Sequence, residues 1–250
     1  MKTYLINMDK STDRLKIMQE RLSEIGIDFE RISAVDGSIL SLEELKVVHS
    51  PNRKYPNALT LGEVGCFLSH KKCWKKFLDS KESWALVLED DSVFHQDAPL
   101  YLKSSDWIPE ECELIQFSFT PDPTYSDKTI TLENGNKLVR VKYSSPCGTY
   151  AYMISRHGAE EAMKCAEMVE GPIDNFLFGS FFDFSRKVDF WRLQNCIVRV
   201  IDDVAPTITG RGRKNKKFNG YKFHPLRVWN KMLHCLLRCS LTRIQQTWGK

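Results

Sequence analysis

The sequence predicts an α/β fold, one domain extended by a basic tail, and three observations carry that prediction. Strand-like apolar segments alternate with helix-like amphipathic ones through the first third of the chain. Trp84 to Leu88 (WALVL) is a continuous apolar run, as expected of a central parallel strand buried on both faces. Charge is segregated: of 36 Lys/Arg and 32 Asp/Glu, 11 Lys/Arg and no acid lie from Val204 onward, so residues 1–203 carry a net of −7. At 250 residues and 42% hydrophobic, the chain is long enough to bury a sizeable core.

The elements follow in order. Lys2–Asn7 reads as a short buried strand with a polar end. A helix starts at Asp13, places Leu15, Met18, Leu22 and Ile25 at helical spacing, and closes at Gly26. A second strand, Asp28–Ile32, leads to the turn Ala34-Val35-Asp36-Gly37. Ser41 with Glu44, and Thr60 with Glu63, are capping-box patterns for a short helix and for one over Gly65–Asp79. Between them, residues 49–58 (HSPNRKYPNA) form a polar, Pro-containing loop. The WALVL strand then runs straight into Glu89-Asp90-Asp91. A strand near Glu113–Phe117 precedes a hairpin, Thr129–Leu132 and Lys137–Tyr143, turning through residues 133–136. A strand at Tyr150–Ile154, a helix over Ser155–Met168 and one or two strands within Phe190–Ile201 complete a domain of residues 1–203.

Residues 204–250 form the tail. From Pro225 to Trp248, Val228/Trp229, Met232/Leu233, Leu236/Leu237, Leu241 and Ile244 make a helical apolar stripe flanked by Arg227, Lys231, Arg238 and Arg243. Behind the basic run 211–217 (RGRKNKK), this has the form of an interfacial helix on an anionic membrane leaflet; packing of the stripe on the domain is the competing reading.

Several function classes are disfavoured. No apolar run approaches the ~20 residues of a membrane span, and the first ten residues lack an apolar signal core, which predicts a cytosolic protein. The eight cysteines include no CxxC pair, and His70, three residues before Cys73, has no second ligand at metal spacing; free thiols and no zinc site are expected. A Mg²⁺-dependent nucleotidyltransferase or phosphatase would need a glycine-rich phosphate loop near the first strand, and none exists. A nucleic-acid-binding module would need basic residues across the body, which is net acidic.

The three acids after the buried strand carry the chemistry. Side chains alternate along extended chain, so Glu89 and Asp91 are expected on one side and Asp90 on the other. Ligands of open α/β sheets sit beyond the carboxyl ends of the strands. Two carboxylates there repel each other unless a cation such as Mg²⁺ or Mn²⁺, shared with phosphate oxygens, neutralises them. A solvated acidic turn is the alternative.

With these acids stand YLINMDKSTDR (4–14), FERISAVDG (29–37), LTLGEVGCFLSHKKCW (59–74), ALVLEDD (85–91), GTYAYMIS (148–155) and GPIDNFL (171–177). In that order they resemble glycosyltransferase family 25, the lipopolysaccharide glycosyltransferases that are also similar to collagen galactosyltransferases. The resemblance implies a GT-A fold, a Rossmann-like nucleotide-sugar domain. It implies inverting transfer of a hexose from a UDP-sugar (UDP-galactose favoured, UDP-glucose next) to a lipopolysaccharide or lipooligosaccharide acceptor at the inner face of the cytoplasmic membrane. Glu89 and Asp91 would occupy the ends of a DxD-type motif holding Mn²⁺ or Mg²⁺. Asn7, Arg14, Ala34, Asp36, Gly37, His70, Asp90, Gly148 and Thr149 would line the donor site, and Asp174 would be the general base. Local readings compete: Arg14 on a solvated helix face, Asp36 in a plain Asp-Gly turn, Glu63 as a capping acid, Tyr152 as core, Asp174 as a helix cap.

Overall fold

The computed structural model describes residues 1–48, 58–120, 122–144, 148–180, 182–200 and 241–248. β1 (Lys2–Asn7) and β2 (Glu30–Ser33) are parallel neighbours connected through α1 (Thr12–Glu24), which is the expected opening unit. Gly26, at φ 66°, takes the left-handed conformation that ends α1. A 3-10 turn over Gly37–Ile39, then α2 (Leu42–Val48) and α3 (Leu61–Leu78), lead to β3 (Trp84–Glu89). β4 (Ser92–Phe94) and α4 (Pro99–Leu102) follow. Next come β5 (Leu114–Gln116), β6 (Thr124–Thr131), β7 (Lys137–Tyr143) and β8 (Ala151–Ser155). After α5 (Arg156–Cys165) and α6 (Ile173–Phe178) lie β9 (Phe190–Leu193), β10 (Asn195–Cys196) and β11 (Val198–Val200). The chain returns with β12 (Thr242–Ile244) and β13 (Thr247–Trp248).

Nine strands form one sheet in the order β12-β6-β7-β9-β5-β8-β3-β1-β2. β3 is an interior strand, as its apolar run required, but it is parallel only to β1 and antiparallel to β8. Burial on both faces explains an unbroken apolar run whichever way the neighbours point, so the run could not specify their direction. Its side chains split between two cores. Ala85 and Val87 join Tyr4, Ile6, Phe67, Trp74 and Phe77 on the α3 face. Leu86 and Leu88 join Leu5, Met18, Leu22 and Leu102 on the α1 face. Helices therefore cover both faces, as in an α/β fold.

Both capping boxes form: Ser41 and Glu44 exchange backbone–side-chain bonds of 2.8 and 3.2 Å, as do Thr60 and Glu63. Glu63 is thus a capping acid. The start of α3 lies against the 34–37 turn at backbone distance. A Cβ on Gly65 would stand 2.4 Å from the Val35 carbonyl oxygen, and one on Gly37 would stand 1.8 Å from that of Leu61. Ser69 Oγ fixes the same junction, accepting from Val35 N at 2.8 Å and donating to Gly65 O at 2.7 Å.

The tail helix needs correction at its end. Residues 242–244 pair with β6 and residues 247–248 with β10, so Ile244, expected on a helical stripe, is buried as a strand residue. Gln246 secures the return, accepting from Thr120 N at 2.9 Å and donating to Leu193 O at 2.8 Å. Period-3.6 and period-2 patterns coincide over so few residues, which is why the stripe reads through. The stripe from Val228 to Leu237, the basic run and the 49–57 part of the polar loop lie outside the described residues.

Candidate active site

The carboxyl ends of β1 and β3 lie side by side, and their polar termini build the site. β3 ends at Glu89, and Asp90-Asp91 turn the chain into β4, so alternation holds for Glu89 and Asp90 but does not extend to Asp91. Asp90 faces the α1 side. Its Oδ2 accepts from Asn7 Nδ2 at 2.7 Å, and its Oδ1 pairs with Arg14 Nη1 at 3.2 Å. Arg31 Nε holds Asn7 Oδ1 at 2.9 Å, which fixes the amide so that its NH₂ points at Asp90 and at Ser11 O. Asn7, Arg14 and Asp90, all expected around the donor, thus tie β1 and α1 to β3 as one bonded set. Ala34 joins the same floor, donating to Asn7 O at 3.0 Å.

Glu89 turns the other way, to α3 and the 148–150 loop. Its Oε1 accepts from Thr149 Oγ1 and stands 3.3 Å from His70 Nε2. His70 is fully buried, and its Nδ1 lies 3.0 Å from the Tyr152 hydroxyl, which also accepts from Trp74 Nε1 at 2.9 Å. Burial keeps Tyr152 neutral by raising its pKa well above the usual phenol value. Tyr152, readable from the sequence as core, is therefore the partner that orients His70. Behind the loop, Gln116 Nε2 donates to Gly148 O at 2.8 Å. Buried Arg192 holds Gln116 Oε1 through Nε at 3.0 Å and Nη2 at 2.6 Å. Gly148 itself has φ 55°, and a Cβ there would strike the Tyr150 ring. Gln116 and Arg192 belong to the site's support and escape a reading of the sequence, because a strand pattern does not reveal which polar positions turn inward.

Asp91 is the electrostatic centre. Burial first, then the charges of Glu89 and Asp90, push its carboxyl up to about 7, against a lowering by Arg14. Its Oδ1 is buried and has no hydrogen-bond partner. An orphaned oxygen on a carboxylate among carboxylates is the donor set that a hard divalent cation fits.

Other expected residues stay local. Asp36 caps the Gly37–Ile39 turn, accepting from Ser38 N and Oγ on one oxygen and from Lys10 on the other, and these bonds hold its carboxyl down at about 2. Asp174 sits in the first turn of α6 and accepts from Asn175 N at 2.8 Å and Nδ2 at 3.0 Å; these bonds do not reach the Glu89–Asp91 cluster. The expectation that His70 lacks a metal-capable partner is corrected. Cys66, one helical turn before it on α3, brings its sulfur together with His70 and Glu89, all three ligand atoms lying within 4.8 Å of one another. The His70–Cys73 spacing misleads, because Cys73 is a buried core thiol. Among the described residues Cys66, Cys73, Cys112, Cys165 and Cys196 are thiols outside any disulfide, as expected.

Comparison with known proteins shows the family. The model of glycosyltransferase family 25 (LPS biosynthesis protein) matches residues 1–177. The human protein named procollagen galactosyltransferase 2 is 33% identical over 187 residues, covering 70% of this chain and 29% of that protein. A glycosyltransferase 25 family member of Drosophila melanogaster is 32% identical over 185 residues, with the same coverage. The lipooligosaccharide biosynthesis protein lic2B of Haemophilus influenzae is 27% identical over 164 residues, covering 63% of this chain and 60% of that one. The chain spans under a third of the length of the two animal relatives. The match begins at residue 1 and runs into α6, taking in both strand ends, the α3 motif and the three acids, and on that ground the chain belongs to glycosyltransferase family 25.

Proposed function

We propose that this protein transfers a hexose, galactose in preference to glucose, from a UDP-sugar to a lipopolysaccharide or lipooligosaccharide acceptor with inversion. The observation that carries this reading is Asp91, a buried carboxylate with an orphaned oxygen beside Glu89 and Asp90 at the end of β3. Mn²⁺ or Mg²⁺ bound there would offset the charge that develops on the departing diphosphate. Asp91 would be the principal ligand, with Glu89, braced by Thr149, beside it. Asn7, Arg14 and Asp90 hold the floor under the nucleotide, and Ala34, Asp36 and Gly37 form its wall with the start of α3. Asp174 takes the proton from the acceptor hydroxyl. The names of the human and Haemophilus relatives support galactose and a lipooligosaccharide acceptor, respectively. The basic run at 211–217 brings the protein to an anionic leaflet; among the described residues no helix is long and apolar enough to cross one.

The test is UDP release from a panel of UDP-sugars, with and without acceptor, in Mn²⁺, Mg²⁺ or EDTA. UDP-galactose turnover that EDTA abolishes and Asp91→Asn abolishes is the expected result. Near-normal turnover by Asp91→Asn, or no turnover of any UDP-sugar, overturns the reading.

A further inference from the structure

α3 carries a second constellation of ligand-type side chains beside the Asp91 site. Cys66 and His70 are four residues apart, so they project from the same face of the helix. The end of β3 brings Glu89 to them, and the three ligand atoms lie within 4.8 Å of one another. His70 is fully buried, yet its Nε2 has no hydrogen-bond partner. Glu89 Oε1 is only 3.3 Å away, but the approach is not that of a hydrogen bond. That separation is the edge of a tetrahedron around a metal ion: two ligands at about 2.0–2.1 Å and tetrahedral angles stand about 3.3 Å apart.

We propose that Cys66, His70 and Glu89 bind a borderline-soft divalent ion of the zinc class, distinct from the cation at Asp91. A thiolate, an imidazole and a carboxylate with one solvent position make a zinc-type set, whereas Mg²⁺ and Mn²⁺ favour oxygen. The second shell is in place. With Nδ1–H donating to the Tyr152 oxygen, the Nε2 lone pair is available to the ion, and Trp74 Nε1 holds that oxygen from the other side. Glu89 keeps 21% of its side chain exposed, which leaves room for a water as the fourth ligand. Thiolate coordination releases the Cys66 proton to solvent. The ion clamps α3 to the carboxyl end of β3 and so positions Thr149 through Glu89.

The experiment is Co²⁺ titration of the full-length, metal-stripped protein without nucleotide, followed by absorption. One equivalent should produce a thiolate-to-cobalt charge-transfer band that Zn²⁺ displaces. Cys66→Ser should abolish the band with the far-ultraviolet dichroism unchanged, and Asp91→Asn should retain it. A band that survives Cys66→Ser, or that Asp91→Asn removes, overturns the proposal, as does the absence of any band. Zinc-edge X-ray absorption of the wild-type protein guards against a variant that fails to fold. One sulfur among nitrogen and oxygen ligands supports the site, and an all-oxygen shell refutes it. Turnover of UDP-sugar enters none of these readouts, so the site and the proposed transfer stand or fall separately.

Discussion

Gly65→Ala sets two known effects against each other, and the structure decides the sign. Gly65 lies inside α3, where alanine is favoured over glycine by about 1 kcal/mol. With open space around it, the substitution would therefore stabilise the protein. The added Cβ instead meets the Val35 carbonyl oxygen at 2.4 Å and the Gly37 nitrogen at 2.7 Å. Both are backbone atoms that no rotamer change can move. The 34–37 turn must retreat by about an ångström, and forced overpacking of this kind costs about 1–3 kcal/mol. The net expectation is a loss of up to about 2 kcal/mol, which in a chain of this size lowers Tm by up to about 8 °C. Because the turn is the proposed nucleoside wall, UDP affinity should fall with it. Thermal unfolding by circular dichroism and UDP titration by calorimetry read the two effects. A variant as stable as the parent or more so, with unchanged UDP affinity, refutes the idea that the two glycines exist to let these backbones touch.

Tyr152→Phe should destabilise by about 2–5 kcal/mol in urea unfolding, since it strips the shared partner from two fully buried groups, Trp74 Nε1 and His70 Nδ1; a loss below about 1 kcal/mol would show that the network carries little. Asp91, raised from 3.8 to about 7, binds its proton more tightly folded than unfolded, so the cation-free protein loses stability as pH rises from about 4 to about 7. Cation affinity measured by titration calorimetry should conversely weaken below about pH 7, by up to about tenfold per pH unit, and a flat profile would remove Asp91 from the site. Asp174→Asn should lose about 10²-fold or more in transfer while keeping UDP-sugar binding; collapse of donor binding would make it a donor ligand. Replacing Arg211, Arg213, Lys214, Lys216 and Lys217 by Gln should release the protein from anionic vesicles, at about 1 kcal/mol per charge, without lowering Tm. Undiminished vesicle binding would end the membrane reading.

The opening half of the fold is legible in the sequence because its signals are local. A six-residue strand with a polar end, a stripe at 3.6-residue spacing closed by glycine, and two capping boxes each declare themselves within a few positions, and β1, α1, α2 and α3 lie where they are expected. The later elements depend on distant partners. β4 and β11 are three-residue strands that pair with each other across a hundred residues, and β10 pairs with β13 at the end of the chain. No short window carries such a signal. The pairing of residues 242–244 with β6 and of 247–248 with β10 is the extreme case, because a basic, apolar segment looks the same whether its apolar side meets lipid, a helix or a strand.

The site is legible in its members and illegible in its wiring. The acids stand out because three carboxylates after an apolar strand demand an electrostatic explanation, and Asp91 supplies one in its raised pKa and orphaned oxygen. What each neighbour does with its polar groups is hidden. The resemblance sets Arg14 and Asp36 around the donor, yet Arg14 neutralises Asp90 and Asp36 caps its own turn. For the largely buried Arg14–Asp90 pair the reason is general: charged groups beside a buried sheet end must be satisfied whether or not a substrate is present. The side chains with the most orienting to do, Tyr152, Gln116 and Arg192, sit on β8, β5 and β9 and resemble ordinary core or strand residues. Their role appears only once the elements are packed together, since Arg192 on β9 holds Gln116 on β5 and Tyr152 on β8 meets His70 on α3. A composition-based search for the site therefore finds the groups that meet the ligand and misses the groups that hold them. The Cys66–His70 pair marks where such a search can be extended. Two residues four apart on a capped helix must share a face, so polar residues grouped by helical turn, and not by motif alone, already bring this thiol and this imidazole together. Glu89 is different in kind: it reaches them from β3, and only the packing of α3 on the sheet supplies it.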